Sequence, residues 1–205
     1  MPRHALNDDQ LATTRRRILS EAAAIISRDG YAALSMRRLA TALGLTAGAL
    51  YRYFPTKQHV LMAYWSGALD DLRSRLECLD DPMRPHLEVL RDMLDAYAAF
   101  GIEDKDRFRL IFMENDFGFF ESFSQNYNVF SIYNIVENRV IAAAASGEMA
   151  DIPPRTVCKL LWASVHGVLA LGLSVPQLEF GDLSDLASLA AEICLSGIVN
   201  SKSSR

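Results

Sequence analysis

Two helix starts separated by one glycine turn constrain this chain more than any other feature. Leu34-Ser35-Met36 with Leu39, and Leu45-Thr46-Ala47 with Leu50, repeat one pattern. In each, a hydroxyl residue can accept hydrogen bonds from N–H groups that have no partner in the helix. The apolar residue before the cap can close over the fourth helical position as a hydrophobic staple. Leu43-Gly44-Leu45 lies between them as a tight turn with glycine at its hinge. Two short helices joined in this way form a helix-turn-helix unit, and the repeated staple fixes both entry angles. The second helix opens on Ala47-Gly48-Ala49, a bald tip that packs poorly and carries a glycine costing about 1 kcal/mol relative to alanine. Such a tip suits close approach to base edges in a DNA major groove, where an alanine methyl can meet a thymine methyl. Thr46 and the N–H groups of that turn suit a phosphate. Tyr51, Arg52, Tyr53 and Lys57 follow with donors for backbone oxygens. The pattern alone also fits a helix pair that binds no nucleic acid, with Arg37 and Arg38 as a solvated face and Tyr51 or Tyr53 as packing residues. Leu50 and Phe54, four apart, read as core.

Charge separates the chain into two parts. Residues 1–60 hold nine Lys or Arg against four acidic residues, a net +5, which leaves −9 for the remainder of a chain whose total is −4. The basic part could meet a polyanion. Apolar residues recur at three- and four-residue spacing almost throughout, so the expected fold is all-α. Residues 1–10 read as a loose arm. Ile18, Ala22, Ile25 and Ile26 form one face of a first helix ended by Asp29-Gly30. If that helix begins at Thr14, Arg15, Arg16 and Arg17 oppose its dipole and call for an explanation outside the helix. Further helices are expected at 57–79, 85–100, 104–115, 119–146, 153–173 and 183–199, punctuated by Pro and Gly. The polar tail from Asn200 reads as frayed. The polar start MPRHALNDDQ lacks the apolar stretch of a signal peptide, and no apolar run approaches the length of a membrane span, so the cytoplasm is the expected location. Cys78, Cys158 and Cys194 are far apart and read as reduced, mostly buried thiols.

The run RRRILSEAAAIISRDGYAALSMRRLATALGLTAGALYRYFPTKQHVL closely resembles the DNA-binding domain of the tetracycline-repressor (TetR) family of bacterial transcription regulators. It spans about Thr14 to Leu61 without a gap and includes DGY, the LA…LG turn, ALYRYF and PTK. The resemblance implies an all-helical homodimer of about nine helices. A three-helix DNA-binding domain over residues 1–56 would precede a roughly six-helix effector-binding and dimerisation domain over 57–205. It implies that Arg37, Thr46, Ala47, Gly48, Tyr51, Arg52, Tyr53 and Lys57 meet DNA. His59 departs from the pattern, standing where an acidic residue is common, and this weakens the capping box.

In the acidic part, FRLIFMEN (108–115) and WASVHGVLALGL (162–173) resemble the "WHG" subgroup of TetR C-terminal domains. Trp162 and His166 lie one turn apart on one helix face, beside Gly167. His166 admits two roles: a core histidine satisfied by a neighbour, with Gly167 allowing close helix packing, or a ligand-binding residue. Met93, Tyr97, Phe112, Met113, Phe117, Phe119, Phe120, Phe123 and Tyr127 supply apolar walls that suit a small-molecule site and equally suit a core. The ligand-binding set is therefore Met93, Tyr97, Phe112, Met113, Phe123, Tyr127, Trp162 and His166. Net acidity points to an uncharged or cationic effector. The last two helices carry broad apolar surfaces, which the family uses to pair subunits. Leu160, Val168, Leu171, Leu186, Leu189, Ala190 and Ile193 are the expected interface, with Ala187 and Ala191 allowing close approach.

The function implied is a ligand-responsive regulator, a repressor released from a palindromic operator by a small molecule. The alternatives are an activator of the same fold or a helical enzyme. An enzyme lacks support: His4, His59, His86 and His166 have no Ser or Cys placed beside them by a local motif, and no phosphate loop or metal-ligand cluster occurs. No catalytic residue, cofactor or metal is expected.

Overall fold

The computed structural model describes residues 8–113, 130–175 and 177–199. Among them the chain is all-helical. It contains α1 (Asp8–Asp29), one 3-10 turn (Tyr31–Ala33), α2 (Met36–Ala42), α3 (Ala47–Tyr53), α4 (Lys57–Leu79), α5 (His86–Glu103), α6 (Lys105–Phe112), α7 (Phe130–Ala145), α8 (Pro154–Ser174) and α9 (Leu183–Ile198). The one extended pairing among the described residues is an isolated bridge between Met149 and Val199. Two compact units divide inside α4, between Ala68 and Leu69; the sequence division was drawn at the start of that helix.

In the first unit both sequence-read caps form. The Ser35 hydroxyl accepts from the Arg38 N–H and the Thr46 hydroxyl from the Ala49 N–H, each at 3.2 Å. Gly44 takes φ +66°. That left-handed residue lets the Leu45 N–H reach the Ala40 carbonyl and the Gly44 N–H reach that of Thr41, which ends α2 in a Schellman turn. Ile18, Ile25, Leu39, Leu50 and Phe54 are sealed in the core beneath the two short helices. α1 already runs from Asp8, so Asp8 to Gln10 are helical where a loose arm was expected. Arg15, Arg16 and Arg17 thus lie beyond the first turn, and their conflict with the dipole disappears. The Thr56 hydroxyl accepts from the His59 N–H at 3.3 Å and meets His59 Nδ1 at 2.8 Å. His59 thus meets the capping hydroxyl itself, and not the Thr56 N–H from which an acid at this position would accept.

In the second unit α9 packs on α8 and α5, and α7 on α5 and α8. α5 runs through Gly101 to Glu103, past the stop expected at glycine. Asn115 and the start of the helix expected over 119–146 lie outside the described residues. α8 is long and apolar enough to cross a membrane by length and composition, contrary to the expectation that no run approaches a span. Its inner face explains the hydropathy: Val157, Cys158, Leu161, Val165, Leu169 and Leu173 are all core. Burial also raises the thiol of Cys158, partly offset by a hydrogen bond with Tyr133. That is the state of an inert thiol. Cys78, by contrast, is exposed. Among the described residues, the charged side chain of Arg139 in α7 is sealed, 5% exposed. Its Nε donates to Asp80 at 2.7 Å and its Nη1 meets His86 Nδ1 at 3.0 Å.

Candidate nucleic-acid interface and effector site

The tip of α3 is open within its unit. Thr46, Ala47, Gly48 and Arg52 are exposed, Tyr51 is 48% exposed, and Tyr53 is half-buried. A Cβ added at Gly48 would meet nothing within 4 Å, so that glycine is not there to admit a neighbour from its own unit. Inward-facing Leu50 and Phe54 hold the helix from below.

The cations around α3 fall into two sets. Arg15 donates to the Tyr53 carbonyl at 2.8 Å and stacks over Phe54, 4.3 Å from the ring centre. Arg17 donates to the Leu43 carbonyl at 3.4 Å. These two side chains satisfy carbonyls at the C-terminal ends of α3 and α2, which lack partners within their helices. That is the explanation outside α1 that their position demanded. Arg38 is held by Asp29, which also takes Arg28 at 2.8 Å. Lys57 reaches the Tyr31 carbonyl at 3.3 Å and lies 3.9 Å from the centre of the Tyr31 ring. Arg37 and Arg52 form the second set: both are exposed, and neither guanidinium bonds a described residue. Arg37 lines an open depression on α2 with Ser35, Arg38, Thr41 and Ala42.

Sequence reasoning named Lys57 but missed the stacking that occupies it. It also left Arg15 and Arg17 without partners, because those partners are main-chain carbonyls up to 38 residues away.

In the second unit, α5, α6 and α8 bring five aromatic side chains together. Tyr97 O–H and His166 Nδ1 are 2.7 Å apart. The rings of Phe112, Phe108 and Trp162 lie 5.1, 5.3 and 5.6 Å from the His166 ring. Tyr133 of α7 meets Trp162 edge-on at 6.3 Å, and burial pushes its phenol up to about 12. The Tyr97 phenol is raised further by burial, an effect partly offset by a hydrogen bond from Trp162. His166 is half-buried and Trp162 is 43% exposed. Met93 is sealed in the core, and Met113 lies 3.9 Å from the Ser174 hydroxyl. Phe123 and Tyr127 lie outside the described residues, as do Phe117, Phe119 and Phe120. The described partner of the His166 ring is a phenol. A Cβ at Gly167 would meet nothing within 4 Å, so Gly167 does not serve close packing inside the chain.

Burial lowers the His166 imidazole below its ordinary 6.5. The unfolded chain then holds more protons at mildly acid pH, so stability rises with pH. Stability is lost as pH falls through the ordinary value toward the folded one. The urea midpoint is expected to drop between about pH 7.5 and 5.5, and to drop less in His166→Phe. Equal pH slopes in the two proteins would contradict this assignment.

An exposed apolar strip completes the unit. Leu160 and Leu171 of α8 are 49% and 51% exposed, and Leu189 and Ile193 of α9 are 51% and 63%. Val168, Leu186 and Ala190 are half-buried. Ala187 and Ala191 are sealed inside the chain, so they serve packing within the unit and not the approach of a second subunit.

Residues 18–64 match the family model described as bacterial regulatory proteins, tetR family. The match covers the whole of α2 and α3. The chain is 36% identical over 75 residues to the HTH-type transcriptional repressor KstR of Rhodococcus jostii (strain RHA1), covering 34% of this chain and 35% of that one. It therefore spans about a third of that curated relative. Solved structures show the same fold over nearly the whole length. The repressor SmeT of the Stenotrophomonas maltophilia multidrug efflux pump SmeDEF aligns with TM-score 0.73 at 23% identity, covering 93% of each chain. The fatty acid degradation regulator FadR of Bacillus halodurans aligns with TM-score 0.75 at 15% identity, covering 89% of this chain and 95% of that one. The chain thus has a TetR-like fold with an N-terminal helix-turn-helix.

Proposed function

We propose that this protein is a cytoplasmic, homodimeric transcriptional regulator of the TetR family, a repressor released from a palindromic operator by a small molecule. The observation that carries this reading is α3. It is a braced helix whose small-residue tip is open, flanked by Arg37 and Arg52 with no described partner. A helix so held can enter a major groove with its N-terminal residues against the bases. Thr46, Ala47, Gly48 and Tyr51 then face DNA, while Arg37, Arg52 and Tyr53 serve the phosphates. Lys57 joins them once its ammonium exchanges the Tyr31 carbonyl for a phosphate oxygen. Residues 1–56 carry the DNA function and 57–205 the response to effector.

The aromatic cluster around His166 lines the effector site, with Tyr97, Phe112, Met113 and Trp162 as its walls and Met93 behind them; Phe123 and Tyr127 join the ligand-binding set on the sequence alone. Trp162, His166 and Gly167 support membership of the WHG subgroup. The strip of Leu160, Val168, Leu171, Leu186, Leu189, Ala190 and Ile193 pairs the subunits. Gly167 lies between Leu160 and Leu171 on the same face of α8, where the open space over it admits a helix of the second subunit. An effector that binds one head spacing better than the other shifts the population off the operator.

The experiment uses a duplex recovered from a random pool by selection on the protein. Operator affinity is expected to fall steeply with salt. Arg37→Ala and Arg52→Ala should each lower the log–log salt slope by about one per phosphate contact removed. Neither change touches the core, so circular dichroism should be unaltered. A flat salt dependence, or wild-type affinity in both variants, would refute the interface.

A further inference from the structure

We infer that the effector is an uncharged, largely apolar molecule with a hydrogen-bond acceptor, which it presents to the Nε2–H of His166. The inference rests on the reading of the aromatic cluster as the effector site and specifies the chemistry read there.

The argument is one of donors and acceptors. The Tyr97 phenol of α5 lies 2.7 Å from His166 Nδ1. A phenol has a single proton to give, and Tyr97 is buried. Giving that proton to Nδ1 satisfies it. The opposite assignment, with Nδ1–H donating to the Tyr97 oxygen, would leave the buried phenol proton without a described acceptor. A neutral imidazole that accepts at Nδ1 must carry its proton on Nε2. Nε2 makes no hydrogen bond to a described residue, so its donor is left over.

The surroundings select the rest of the ligand. Phe108, Phe112 and Trp162 surround the imidazole with ring faces and edges. Among the described residues no charged side chain makes a hydrogen bond or ion pair with Tyr97 or His166. A carboxylate or ammonium would lose its water here without finding a counter-charge. A ketone, ester, ether or nitro compound would give His166 its acceptor and set apolar surface against the surrounding rings.

Full-length protein labelled with 15N-histidine tests this directly. Long-range proton–nitrogen spectra distinguish the two neutral tautomers, and the His166 signals are identified by their loss in His166→Phe. The expected result is the Nε2–H form, with Tyr97→Phe giving a mixture of forms. Three probes follow: 2-acetylnaphthalene, 2-isopropylnaphthalene and 2-naphthoate. The ketone should bind about 3- to 10-fold more tightly than the hydrocarbon, the worth of one neutral hydrogen bond, and should move the Nε2 signal. The naphthoate should bind most weakly, and His166→Phe should bind ketone and hydrocarbon alike. A resting Nδ1–H tautomer, equal affinities in the wild-type protein, a preference that survives in His166→Phe, or tightest binding of the naphthoate would overturn the inference. In those cases probe-induced shifts at His166 would leave the effector-site reading standing. If no probe moves the His166 signals up to its solubility limit, the effector-site reading fails and the inference falls with it.

Discussion

Asp80→Ala is expected to destabilise the second unit by about 3 kcal/mol, whereas Arg139→Met should cost much less. The asymmetry follows from where the two charges lie. The Arg139 guanidinium is 5% exposed, while the Asp80 side chain is 36% exposed. Removing Asp80 leaves a buried cation with the His86 ring as its one remaining partner among the described residues. Removing Arg139 leaves a carboxylate that water can already reach, and methionine fills the vacated volume with apolar atoms. The bond also ties α7 to the C-terminal end of α4, since Asp80 follows Leu79 directly. Urea melts of both variants at pH 7 check the expectation. Equal losses would show that desolvation of Arg139 is not the governing term. A larger loss for Arg139→Met would reverse the argument.

The parts of this structure written in local patterns were legible in the sequence. The two caps, the glycine turn and the exposed tip each depend on residues within about five positions of one another, and each forms. Interactions across long separations were not legible. Arg139 meets Asp80 across 59 positions, and nothing near either residue announces the pair. Arg15 and Arg17 called for an explanation outside their own helix, and the carbonyls of other helices that supply it were not visible in the sequence.

Gly101 shows the limit in another form. Read as a helix stop, it stands inside α5 because a Cβ there would come within 2.8 Å of Leu169 and 2.9 Å of Phe108. Its reason is packing against α8 and α6, and the sequence records only its helix-breaking propensity. His166 lies between these cases. Its turn-spaced relation to Trp162 was visible, and its bond to Tyr97, 69 positions away, was not.

Leu189→Glu combined with Ile193→Glu should convert the protein to a monomer and reduce operator affinity by about 10²–10⁴. Both side chains are more than half exposed, so each substitution should alter the stability of the subunit itself by about 0.5 kcal/mol or less. The proposed pairing surface is a different matter. In a two-fold interface the same patch meets itself, so four like charges would be confined where four apolar side chains had excluded water. Neither repulsion nor desolvation can be relieved without separation. The head of each separated subunit would still fold, because its core of Ile18, Leu39, Leu50 and Phe54 lies within its own unit. What disappears is the effective concentration of the second head once the first is bound, and affinity falls by that factor without the loss of any DNA-facing residue. Sedimentation velocity and operator titration on the same sample separate the two effects. A dimer that persists would place the subunit interface elsewhere. A monomer that binds the operator as tightly as the parent would show that the two heads do not act together.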